Sequence, residues 1–158
     1  MPDKKICTAM IVDDVFFMRS MLRSILEMEG YKVVAEAEDG EDAVAKYRAC
    51  SPDLVLMDIF MPVKNGVDAT RDIIGFDKNA CVVICTVLGQ EPLVNAAREA
   101  GAHGFILKPF TTEEVVVVLQ QVMAPDFSMS KEGSGEQNTR CGFSIRNFNE
   151  VNFSRRFL

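Results

Sequence analysis

A chain of 158 residues with 48% hydrophobic and 25% charged side chains can bury a core without disulfide or metal staples. Its 17 basic and 23 acidic side chains leave a net charge of −6, which argues against nucleic-acid binding through clustered phosphate contacts and favours metal ions or basic partners. The five cysteines form no C-x-x-C pair and read as reduced thiols, with Cys7, Cys81 and Cys85 buried in apolar runs. The leading apolar stretch spans only residues 6–12, too short for a secretory or membrane segment, so the expectation is a cytoplasmic protein without a membrane partner.

Taken in order, residues 6–12 (ICTAMIV) form a continuous apolar run, as expected of a strand buried on both faces. Phe17, Met21, Leu22, Ile25 and Leu26 then recur at helical spacing up to a stop at Gly30. Residues 32–37 read as a second strand, 41–50 as a helix entered through Asp39-Gly40, and 53–57 as a third strand. After a turn at Pro62 come a helix over 67–74, a fourth strand over 80–86 and a helix over 91–100 capped by Gly101. The fifth strand is 104–107, and the capping-box spacing of Thr111 to Glu114 opens a last helix to Met123. Met18, Met21 and Met28 are packing residues, and lone His103 is expected to be exposed.

Five such repeats predict an α/β fold, a doubly wound five-stranded parallel sheet of flavodoxin-like order 2-1-3-4-5, with ligands bound at the carboxyl ends of the strands. From Pro125 the texture changes to a Ser-, Gly- and Asn-containing linker, so residues 1–124 form one domain and 125–158 a polar linker and tail read as flexible. Residues 1–125 carry −7 and 126–158 carry +1. Residues 141–158 set four phenylalanines among Asn, Ser and Arg with neither strand nor helix period, leaving open a packed or partner-docking role, with Arg155 and Arg156 suited to an acidic or apolar surface.

The strand ends collect chemistry: Asp13 and Asp14 after the first, Asp58 after the third, Thr86 after the fourth and Lys108 after the fifth. Three converging carboxylates repel by roughly 1 kcal/mol per pair even in water, so a hard divalent cation fits among them, with Mg²⁺ preferred because it needs few carboxylates. Asp13 and Asp14 also suit helix N-caps, a role compatible with metal binding.

These motifs, Ile-Val-Asp-Asp at 11–14 with Arg19, Met-Asp-Ile-x-Met-Pro at 57–62 with Gly66, Thr86, and Lys-Pro-Phe at 108–110, resemble the receiver domains of two-component response regulators. The likeness covers about residues 4–124 and is nearest to the stand-alone chemotaxis, CheY-like type. It implies that Asp58 is the phosphoacceptor for a histidine kinase, and that Asp13, Asp14, Asp58 and the backbone carbonyl of Phe60 hold Mg²⁺. It further implies that Lys108 pairs with Asp58 and then with the phosphoryl group, that Thr86 contacts a phosphoryl oxygen, and that Phe105 is the aromatic switch rotating toward Thr86. The Lys108–Pro109 bond is implied to be cis. The face built from the helix at 91–100, the strand at 104–107 and the last helix becomes the output surface, whose partner is a flagellar motor switch protein or a phosphatase.

On that resemblance the protein is a monomeric signalling module, catalysing only its own phosphorylation and dephosphorylation. A phosphate sink or a regulator outside chemotaxis uses the same residues. An aspartyl-nucleophile phosphatase resembles Asp-x-Asp after the first strand, whereas the candidate nucleophile here follows the third. A flavin carrier needs a hydroxyl- and Gly-rich loop where this chain has Asp-Asp-Val-Phe-Phe. Departures from the family pattern are Phe105 without a phenol hydroxyl, and the bulky Val87 and Phe60, which are expected to hinder water at the acyl phosphate.

Overall fold

The computed structural model describes residues 4–123, and within them each apolar run is a strand followed by a helix. The order is β1 (Thr8–Val12), α1 (Phe16–Met28), β2 (Lys32–Ala37), α2 (Gly40–Cys50), β3 (Leu54–Met57), α3 (Gly66–Phe76), β4 (Val82–Thr86), α4 (Glu91–Glu99), β5 (Gly104–Leu107) and α5 (Thr112–Met123). All strands pair in parallel, in the sheet order β2-β1-β3-β4-β5, as the alternation predicts. The proposed boundary at residue 124 and the tail beyond it, Cys141 included, lie outside the described residues.

Alternate residues of each strand serve opposite faces. Met10, Val12, Val55, Met57, Val82 and Ile84 pack with Ala43 and Tyr47 of α2, Val67 and Ile73 of α3 and Val94 of α4. Ala9, Ile11, Leu54, Leu56, Val83, Cys85 and Ile106 pack with Leu22 and Leu26 of α1 and Val115, Val118 and Leu119 of α5. The sheet is therefore the middle of three layers, which explains why its strands read as continuous apolar runs rather than alternating ones.

Helix ends follow local chemistry. Asp39 and Asn65 accept from the backbone N–H groups of Asp42 and Asp68, and Thr111 and Glu114 form the expected reciprocal box. Gly30 at φ 86° allows the turn after α1. Gly66 has a different reason to be glycine: a Cβ there would overlap the Asp58 carbonyl oxygen, so the missing side chain lets α3 start against the end of β3.

Several expectations need correction. The first strand begins at Thr8 and the fourth at Val82: the apolar runs start two residues ahead of the paired register, where the Cys7 and Cys81 carbonyls still accept from the Lys32 and Val55 N–H groups. Asp13 and Asp14 do not cap α1, whose N-cap is Val15 without a side-chain hydrogen bond. Cys81 and Cys85 are buried, but Cys7 is only half-buried, lying ahead of β1. His103 is not exposed: it is half-buried, its N–H donates to the Val82 carbonyl, and its Nδ1 accepts from the Val82 N–H.

Candidate phosphoacceptor and metal site

The strand registers level the carboxyl edge of the sheet. Val12 pairs with Met57, Met57 with Ile84, and Thr86 with Leu107, so the residues just beyond these ends, Asp13, Asp58 and Lys108, emerge together beside Thr86. Carboxylate oxygens of Asp13, Asp14 and Asp58 lie within 4.8 Å of one another. Asp13 and Asp58 are buried and Asp14 is exposed.

Asp13 is held at every polar atom. Its N–H donates to the Ala37 carbonyl at 3.1 Å, its carbonyl accepts from Arg19 Nη1 at 2.7 Å, Oδ1 accepts from the Val15 N–H at 2.9 Å, and Oδ2 faces Lys108 Nζ at 2.5 Å. Lys108 is farther from Asp58, at 3.6 Å, so in this state the ammonium sits closer to Asp13 than the expected pairing with Asp58. Arg19, part of the sequence motif without an assigned role there, is a positioning residue in the structure. Its buried guanidinium bridges the Asp13 carbonyl and Glu38 and lies over the Phe16 ring, fixing the loop that carries both aspartates.

Asp58 accepts from the Ile59 N–H at 2.9 Å. Burial pushes its carboxyl up to about 6; Lys108 opposes that rise, while the Asp13 and Asp14 charges add to it. Burial would lower Lys108, but its hydrogen bond to Asp13 and the charges of Asp58 and Asp13 outweigh that and hold it above its ordinary value. Burial also lifts the neighbouring Cys85 thiol to about 12, leaving it a packing residue rather than a nucleophile.

One cation set against three carboxylates leaves an excess of about two negative charges. All three acidic side chains offer hard oxygen donors, so the residues present fit a hard divalent cation such as Mg²⁺. Beside them Thr86 is completely buried, and its Oγ1 is the one buried side-chain polar atom among the described residues that has no hydrogen-bond partner. Phe105 is buried with the α4 side of the core, whereas the Phe60 and Val87 side chains are exposed at the mouth. The Lys108–Pro109 peptide is cis.

The chain matches the family described as response regulator receiver domain over residues 9–120. It is 47% identical over 113 residues to the chemotaxis protein CheY of Thermotoga maritima, covering 72% of this chain and 94% of that protein. It is 45% identical over 114 residues to CheY of Bacillus subtilis, covering 72% and 95%. Among solved structures, a chain of the CheX–CheY–BeF3–Mg²⁺ complex from Borrelia burgdorferi superposes with a TM-score of 0.72 at 37% identity, covering 73% of this chain and 88% of that one.

Proposed function

The chain belongs to the response regulator receiver family, and on that premise we propose that it is a stand-alone, chemotaxis-type regulator phosphorylated on Asp58 by a histidine kinase. The observation that carries the reading is the convergence of Asp13, Asp14 and Asp58 with Lys108 at one end of the sheet. A carboxylate oxygen of Asp58 attacks the phosphorus of a phosphohistidine. The new O–P bond forms as the P–N bond breaks, and the departing imidazole nitrogen keeps the electron pair. With its carboxyl at about 6, Asp58 is mostly ionised at neutral pH, as a nucleophile must be.

Asp13, Asp14, Asp58 and the Phe60 carbonyl are the residues that would hold Mg²⁺, which would supply positive charge to offset the negative charge gathered in phosphoryl transfer. Lys108 shifts from Asp13 toward the phosphoryl group, and the Thr86 hydroxyl, now without a partner, donates to a phosphoryl oxygen. Phosphorylation adds about −1.5 to −2 charges. Two charge-assisted hydrogen bonds and the lysine contact are of the order of the roughly 5.5 kcal/mol needed to invert a 1:99 equilibrium. As Thr86 moves inward, Phe105 turns into the space it leaves, and the surface of α4, β5 and α5 is read by a motor switch protein, a phosphatase or a CheX-like partner. Among the described residues no helix is long and apolar enough to cross a membrane; the protein is proposed to be cytoplasmic and monomeric.

The test is incubation of the full chain with Mg²⁺ and acetyl phosphate, followed by intact mass and an Asp58→Asn control. One phosphoryl adduct, absent from the variant, is the expected result. Multiple turnover of unrelated phosphate esters would instead make the protein a phosphatase.

A further inference from the structure

Eleven large hydrophobic side chains are exposed among the described residues, and seven of them follow the carboxyl ends of three neighbouring strands. Val15, Phe16 and Phe17 follow β1 at 49%, 72% and 69% exposure, Phe60 and Val63 follow β3 at 49% and 77%, and Val87 and Leu88 follow β4 at 60% and 43%. The excess negative charge of Asp13, Asp14 and Asp58 over Lys108 lies at the same edge. An apolar rim around an acidic pocket is costly to leave in water and suits a ligand that is both cationic and aromatic.

The same chain carries such a segment. Residues 141–158 lie beyond the family match and contain Phe143, Phe148, Phe153 and Phe157, with Arg146, Arg155 and Arg156 against the single acid Glu150. A guanidinium fork matches carboxylate geometry, and flanking phenyl rings supply apolar contact. The reach is adequate. Helix α5 begins at the rim, just after Lys108, and its 12 residues carry the chain about 18 Å away. Fully extended, the 17 residues of 124–140 could reach at most about 56–61 Å, more than the return requires.

We propose that segment 141–158 docks on this rim within its own chain, with an arginine competing with a metal cation for the Asp13, Asp14 and Asp58 carboxylates. This regulation rests on the phosphoacceptor reading. Tethering at millimolar effective concentration allows a weak contact to be largely occupied, so releasing it should raise both the Mg²⁺ affinity and the rate of phosphorylation by acetyl phosphate about two- to tenfold.

The experiment uses the full chain and an Arg146→Glu/Arg155→Glu/Arg156→Glu variant, with Phe17→Glu as an independent change on the rim. Mg²⁺ affinity is read by calorimetry, phosphorylation rate by mass, and the amide signals of Phe16, Phe17, Val87 and Leu88 by NMR without phosphodonor. Gains in affinity and rate with the tail variant, matching signal shifts at the rim, and the same gains with Phe17→Glu support the docking. Unchanged signals and rates overturn it and leave the rim to an external partner, while concentration-dependent shifts with dimers in sedimentation assign the segment to a second copy. If wild-type protein takes no phosphoryl group, the phosphoacceptor reading fails, and the NMR comparison still decides the docking.

Discussion

Lys108 Nζ lies 2.5 Å from Asp13 Oδ2 and 3.6 Å from Asp58 Oδ1, so one ammonium bridges the aspartate that organises the site and the one proposed to react. Asp13 is anchored through four polar atoms, while Asp14, next in sequence, is exposed. Equal charge therefore hides unequal work.

That asymmetry predicts different outcomes for the two neighbours. Asp13→Ala should cost about 2 kcal/mol in urea denaturation without metal, because it leaves the Val15 N–H and much of the Lys108 charge uncompensated. Asp14→Ala should change stability by less than about 0.5 kcal/mol. Both should weaken Mg²⁺ binding by roughly tenfold or more in calorimetry, since each removes a candidate ligand.

Thr86→Val should raise the denaturation midpoint by up to about 1 kcal/mol of stability, since it removes a buried hydroxyl that has no partner. Asp58 of that variant should still accept a phosphoryl group, but the accompanying NMR shifts along β5 and α4 should be largely lost. A stability loss with normal shifts would show that the hydroxyl has no part in the switch.

His103 predicts a pH dependence. Burial lowers its pKa from 6.5 to about 4, and protonation would also remove the acceptor Nδ1 uses for the Val82 N–H. Between about pH 4 and 6.5 the unfolded chain binds more protons at this residue, so its contribution to stability is intact above 6.5 and is lost as pH falls toward 4. The amount is on the order of 3 kcal/mol. Asp58, raised to about 6, acts with opposite sign in the same range. The measurement is therefore the difference between wild type and His103→Gln, whose gap should narrow as pH drops from 7 to about 4.

Val63 is a β-branched residue at φ 70°, in a three-residue turn closed by the Lys64 N–H donating to the Pro62 carbonyl at 2.8 Å. Such a conformation is unfavourable for a branched side chain. Val63→Asn should stabilise the fold by about 1 kcal/mol in chemical denaturation, and an unchanged midpoint would mean that the turn is unstrained.

Phe60 and Val87 stand exposed at the pocket mouth, where they can screen an acyl phosphate from water. Phe60→Asn and Val87→Ala should each speed loss of the phosphoryl group several-fold in a decay assay. Unchanged decay would discard the screening role.

The fold was largely legible because a sheet covered on both faces writes itself as short apolar runs, such as VVICT at 82–86, alternating with amphipathic stretches. The convergence of Asp13, Asp14, Asp58, Thr86 and Lys108 was legible for a related reason: topology alone brings strand ends together. What could not be read were choices made through space by side chains. The nearer partner of Lys108 is set by rotamers across 95 residues of sequence. The burial of His103 comes from its backbone and ring both meeting Val82, and the strain at Val63 is a single dihedral with no glycine to announce it. Arg19 was visible as part of a motif, but its grip on the Asp13 carbonyl needs the turn of α1 that folds it back over the loop.

The Lys108 N–H donates to the Thr86 carbonyl at 2.8 Å, so the two side chains proposed to sense a phosphoryl group are joined by their backbones at the edge of the sheet. Neither can relocate far without carrying the other. An uncharged acceptor would satisfy the hydroxyl and leave the ammonium on Asp13, while a simple anion would draw the ammonium and leave the hydroxyl unmet. In the proposed roles the pair would operate as a coincidence detector, which ignores half-matching solutes and answers a group that brings charge and directed oxygens at once.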